Sequence, residues 1–185
     1  MTLPPRVSSD EGFTLVELLV YMFLFAIVFT MVAMLMINGF RTQSGVTQTT
    51  TRAGDAQNAS AAIAYDVRYA AAFRIETGGD VLRTRTWEGT PSSGRYVCRG
   101  WYYDDVSAVL RHISSDTAVA STAGGAQSWP VYAREVSADV PFTTIDGQRV
   151  DVNFATVTTQ WGVDTRIDTS VTKRVQSETE GSPCF

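Results

Sequence analysis

An α+β chain is what the sequence predicts: one long N-terminal helix, about residues 13–73, followed by antiparallel strands. Three observations carry this expectation. From Phe13 to Ile37 there are 25 residues with a single charge, Glu17. From Ala53 onward, Ala56, Ala59, Ile63, Val67, Ala70 and Phe73 recur three or four apart, the spacing of one apolar helix stripe. Beyond residue 74 the apolar period changes to two, the period of a strand with one face buried.

The first run is long enough to cross a bilayer, because roughly 20 apolar residues at about 1.5 Å each cover about 30 Å of hydrocarbon. After Ile37 the chain turns polar at Asn38-Gly39-Phe40-Arg41 and enters a stretch rich in threonine, Thr42 to Thr51. Hydroxyl and β-branched residues form helices poorly, so residues 39–51 are expected to be a weak, bent or meltable middle of the helix. Gly39, Gly45 and Gly54 are its flexible points, and the first proline after residue 12 is Pro91.

Gly78-Gly79 reads as a turn before a strand over Val81 to Trp87. Arg95 to Tyr103 and Ala108 to Ile113 flank Asp104-Asp105 as a hairpin. Residues 114–128 are mostly Ser, Ala, Gly and Thr with little to bury, and read as a surface loop. Val131 to Val136 is a further strand. Phe142 to Ile145 and Arg149 to Val157 are joined through Asp146-Gly147, a pair that accepts the positive φ angles of a tight primed turn. A last strand is expected over Thr169 to Gln176, before a polar tail.

Glu17 is what an ordinary membrane span does not explain. A carboxylate in hydrocarbon costs from about 2.5 kcal/mol upward. Residues 1–12 hold no apolar segment of their own, whereas a secretory signal peptide places its apolar stretch before the cleavage site. Here Gly12 stands at the boundary with the apolar run behind it. Gly12-Phe13-Thr14-Leu15-Val16-Glu17 at the head of such a run resembles the N-terminus of type IV prepilin-like proteins. An ordinary signal anchor needs neither the Gly-Phe junction nor the glutamate. The leader departs from the usual basic pattern, since Arg6 is its one basic side chain and Asp10 and Glu11 offset it.

The resemblance implies a division into a leader, 1–12, a membrane and filament-core half-helix, 13–38, and a soluble pilin-like domain, 39–185, in which the second half of the helix packs on an antiparallel sheet. It implies leader cleavage between Gly12 and Phe13, N-methylation of Phe13, and a role for Glu17 in subunit assembly. The partners implied are a prepilin peptidase, other pilin or pseudopilin subunits, an inner-membrane assembly platform and the lipid bilayer. The precursor would cross the cytoplasmic membrane once, with its C-terminal domain extracytoplasmic, before entering a pilus or pseudopilus. Val109-Leu110-Arg111 and Thr169 to Arg174 look like segments of J-type pseudopilins and W-type minor pilins.

Other chemistry finds little support. Setting aside Arg6, Asp10, Glu11 and Glu17 from the 15 basic and 19 acidic residues leaves 14 against 16, with no general pull toward nucleic acid. Trp87, Trp101, Tyr102, Tyr103, Trp129 and Trp161 could stack on nucleotides, but aromatic residues alternating in strands are more often core. His112 is the lone histidine, with no nucleophile motif to serve, and no phosphate-binding loop occurs. Asp104, Asp105, Asp164 and Asp168 do not match a calcium loop, and turn or surface roles are favoured. No catalytic residue, metal or cofactor is expected. Cys98 and Cys184 are either a disulfide, which an extracytoplasmic compartment permits, or two unpaired thiols. A structural filament subunit is the preferred reading, and a filament-displayed adhesin or DNA-uptake tip protein the alternative.

Overall fold

The computed structural model describes residues 14–90, 92–157, 164–174 and 184–185. The chain divides into two compact units, Met1–Ser44 and Gly45–Phe185. Helix α1, Leu15–Tyr69, supplies the described part of the first unit and the opening of the second. In the first unit the apolar side chains from Leu15 to Ile37 are almost all exposed, Leu15 by 80% and Leu35 by 72%.

The threonine-rich middle stays helical. Thr42, Thr49, Thr50 and Thr51 each turn the hydroxyl back onto the carbonyl four residues earlier, at 2.9 to 3.0 Å. Ser44 does the same onto Arg41, three residues earlier. These bonds satisfy the hydroxyls locally at some cost to the helix they lean on.

In the second unit α1 buries Ala56, Ala59, Ile63, Asp66 and Val67. The helix ends at Tyr69, short of the expected Phe73, because Ala70 to Phe73 belong to strand β1, Ala70–Ile75. Alanine favours helix, but here Ala70, Ala71 and Ala72 are buried in a ladder with β2, Val81–Thr90, and tertiary pairing overrides local preference. The turn between them uses Gly78 and Gly79, both at positive φ. A side chain at Gly79 would also run into Val140 and the Phe142 carbonyl. Strands β3, Ser93–Asp104, and β4, Val109–Ser115, form the expected hairpin around Asp104-Asp105.

The segment expected as one strand over Val131 to Val136 is two. Strand β5, Val131–Arg134, closes a five-stranded antiparallel sheet of order β1-β2-β3-β4-β5. Glu135 then takes φ 56°, and the chain leaves that sheet to begin β6, Val136–Ser137, in another. In this second sheet β8, Arg149–Thr156, pairs along one edge with β6 and β7, Phe142–Thr144, and with β9, Arg166–Thr172, along the other. At Asp146-Gly147 only the glycine has positive φ, so the turn is not the primed type expected. The Asp146 carboxylate instead accepts from the backbone N–H groups of Gln148 and Arg149.

Alternation along the strands sorts the side chains into two cores. Leu82, Trp101, Tyr103 and Leu110 of the first sheet meet Ile63 and Val67 of α1 and Phe142, Val150, Val152 and Phe154 of the second sheet. On the opposite face of the first sheet, Val81, Cys98 and Tyr102 pack with Val119, Ala126, Trp129 and Cys184. The expectation that 114–128 buries little therefore fails. A short helix, α2, Ala123–Ala126, capped by Thr122, lays Ala126 over this second core. Gly100 is what lets Trp129 lie against β3, since a side chain there would collide with the indole.

Candidate assembly segment and the carboxylates of the long helix

Glu17 lies in the first turn of α1, where a negative charge complements the unpaired N–H groups of the helix start. Thr14 caps that turn: its hydroxyl accepts from the Glu17 N–H at 3.3 Å, and its carbonyl accepts from the N–H groups of Glu17 and Leu18. One turn on, the Tyr21 hydroxyl donates to Glu17 Oε1 at 3.1 Å. Around this pair Leu18, Leu19, Met22 and Phe25 are exposed. The arrangement is a polar pair on an apolar rod, capable of holding one donor and of accepting another. Gly12 and Phe13, the expected cleavage and methylation positions, lie outside the described residues, as does Trp161. Tyr21 was not singled out in the sequence, although its spacing of four from the lone charge is the helical neighbour relation.

The second carboxylate of α1 on an apolar stripe, Asp66, is buried in the soluble unit. It accepts from Trp101 Nε1 at 2.8 Å and from Arg99 Nη1 at 3.1 Å, and His112 Nε2 lies 3.7 Å from Oδ2. Arg99 also pairs with Glu88. Burial raises the pKa of Asp66, opposed by the bonds from Trp101 and Arg99. Burial, with the Arg99 guanidinium adding to it, pushes His112 down to about 4, so the imidazole is neutral at pH 7. Its ring packs 4.3 Å from that of Trp101 and 5.9 Å from that of Tyr132. This cluster fastens helix to sheet, and the histidine is part of the fastening.

Cys98 and Cys184 are bonded in a disulfide and fully buried. The Cys184 carbonyl accepts from Arg83 at 3.2 Å, and the guanidinium groups of Arg74 and Arg83 each lie 5.4 Å from the centre of the Phe185 ring. Of the aromatic residues considered for stacking, Trp101, Tyr102, Tyr103 and Trp129 are buried, and Trp87 is partly exposed against Tyr96. Asp104 is engaged by Ser107 and Arg111, a turn role. Among the described residues no three His, Cys, Asp or Glu side chains gather as a metal site.

Among the described residues α1 is the one helix long and apolar enough, by length and composition, to cross a membrane. A long N-terminal helix with an apolar first half, followed by antiparallel sheet, is an α+β protein of pilin-like architecture. A family model, the prokaryotic N-terminal methylation motif, matches residues 8–33. This motif supports a type IV prepilin-like protein, of the kind whose precursor prepilin peptidase processes. The motif and the apolar helix together support single-pass anchoring in the inner membrane. Comparison with curated proteins and with solved structures gave no match.

Proposed function

We propose that the chain is a structural minor subunit of a type IV pilus-like or type II secretion filament, cut between Gly12 and Phe13, methylated on Phe13 and assembled through α1. The observation that carries this reading is the exposed apolar run from Leu15 to Ile37 with Glu17 as its lone charge, most of it within the matched methylation motif. Cleavage would free the amine of Phe13 within about one helical turn of Glu17. A charge alone in hydrocarbon is costly, and a pair made between two copies removes two charges at once. Glu17 of an incoming subunit would meet the amine of the subunit before it, setting axial register while apolar helix faces pack. The residues after 38 would form the soluble domain on the far side of the membrane, and the assembly platform and fellow subunits would be its partners. Burial of most of the aromatic residues leaves the DNA-receptor alternative with less to stand on than the structural one.

The test is incorporation into sheared filaments, normalised to the processed membrane pool. Glu17→Ala is expected to cut incorporation at least tenfold, and unchanged incorporation would sink the pairing. Gly12→Ala is expected to leave the leader in place, and a normal mature mass by mass spectrometry would remove the assigned cleavage site.

A further inference from the structure

Tyr21 has no role in the reading above, and three features single it out. From Phe13 to Ile37 the aromatic residues are Phe13, Tyr21, Phe23, Phe25 and Phe29, so the one aromatic hydroxyl in the run falls four residues after its one charge. That hydroxyl donates to Glu17 Oε1. Oε2 of the same carboxylate has no partner among the described residues. An interfacial tyrosine, the ordinary reading of such a residue, sits at headgroup depth. Tyr21 is eight residues past Phe13, about 12 Å along the helix axis, where a hydroxyl needs an acceptor within the protein.

We propose that Tyr21 is a positioning residue for assembly: its hydroxyl pins one oxygen of Glu17 and presents the other to the cationic amine of a second copy of this chain or of a like subunit. A carboxylate accepts on both oxygens, so the tyrosine bond and the intermolecular pair are compatible. Without the bond, Glu17 samples several rotamers along the helix, and fixing it in the pairing geometry has to be done at the moment of docking. The phenol also keeps the carboxylate from entering the bilayer with every lone pair unpartnered before a neighbour arrives.

This inference rests on the pairing role of Glu17, and the experiment separates the two. Full-length Tyr21→Phe, Tyr21→Gln and Glu17→Ala are expressed in the native host and the processed pool and filament fraction of each are measured. Tyr21→Phe keeps the ring and loses the donor. Tyr21→Gln loses the ring and keeps a donor at the same helical spacing. The expected pattern is a loss of incorporation of about tenfold for Tyr21→Phe, the scale of one hydrogen bond to a charged group, with Tyr21→Gln within about threefold of the unaltered chain. All variants should reach the same processed pool, since Tyr21 is exposed in the single subunit. Normal incorporation of Tyr21→Phe overturns the proposal, as does an equal loss from both substitutions, which would assign the effect to ring packing. Normal incorporation of Glu17→Ala overturns the pairing itself, whatever the tyrosine variants do.

Discussion

Two stretches of one helix treat their apolar residues and their carboxylates in opposite ways. From Leu15 to Ile37 the large apolar side chains point to the surroundings, and the carboxylate among them, Glu17, has one neutral donor. From Ala56 to Val67 a narrow stripe is covered by two sheets, and its carboxylate, Asp66, is met by an indole, a guanidinium and an imidazole. The difference teaches that an isolated charge on an apolar stripe is completed in one of two ways. Asp66 finds its partners within the fold. Glu17 has no cation near it among the described residues, and the partner we propose for it lies in another subunit.

The sharpest break of that comparison is to remove each carboxylate in turn. Asp66→Ala should destabilise the soluble unit by about 2 to 3 kcal/mol, because it leaves the buried indole N–H of Trp101 without its acceptor and takes from Arg99 one of its two carboxylates. Glu17→Ala should leave the same denaturant transition, measured on full-length protein in micelles, within about 0.5 kcal/mol. Equal losses from the two would erase the distinction. Apolar truncations sharpen it further. Ile63→Ala should cost about 3 kcal/mol through the cavity left between helix and sheets. Leu24→Ala on the exposed stretch should be silent in unfolding, and a loss there comparable to that of Ile63→Ala would mean that Leu24 is packed within the subunit.

The smallest effect is one of pH. An unfolded histidine takes up its proton near pH 6.5, whereas folded His112 resists until about 4. In that window the unfolded state binds more protons, so this group contributes stability at neutral pH that is lost as pH falls from about 6.5 toward 4. Asp66 opposes it: its raised folded-state pKa makes the folded state bind a proton more readily, so its own contribution improves as pH falls. Arg99, the other charge facing the imidazole, does not titrate in this range. Comparison with His112→Gln cancels the aspartate. Between pH 7 and pH 5 the unaltered chain should lose about 1 kcal/mol more than the variant, a figure discounted for the partial exposure of the ring. Parallel pH profiles would remove His112 from the buried network.

The first twenty or so residues of α1 were legible because membranes and processing enzymes read sequence locally. A glycine boundary, an uncharged run and one misplaced glutamate are all visible without knowing what folds against what. The stripe from Ala56 to Val67 was legible for the same reason, whereas Asp66, three residues after Ile63, was passed over. Its partners were not, because Arg99, Trp101 and His112 arrive from strands 33 to 46 residues later and only the sheet register brings them together. The end of α1 was lost to tertiary pairing, since nothing in three alanines announces a strand. Glu135 was lost because the only sign of the break is two adjacent polar residues, Arg134-Glu135, in a run too short to establish a period, and a left-handed glutamate leaves no mark in composition. The loop at 114–128 looked empty because its residues are mostly small, whereas Val119 and Ala126 are buried in one cluster with the Cys98–Cys184 disulfide.

Glu135 carries one more consequence. Arg52 of α1 forms an ion pair with Glu135, the residue at which the chain leaves one sheet for the other, and donates to the carbonyl of Val157 at the end of β8. Val157 in turn donates its N–H to the Glu135 carbonyl at 2.7 Å. Helix, first sheet and second sheet are thus riveted at a single point. Under mechanical load, a pull on the helix at Arg52 would reach both sheets simultaneously at this rivet, with the Asp66 cluster a second attachment about four turns further along. A helix tied at two separated points resists being peeled from its domain one contact at a time.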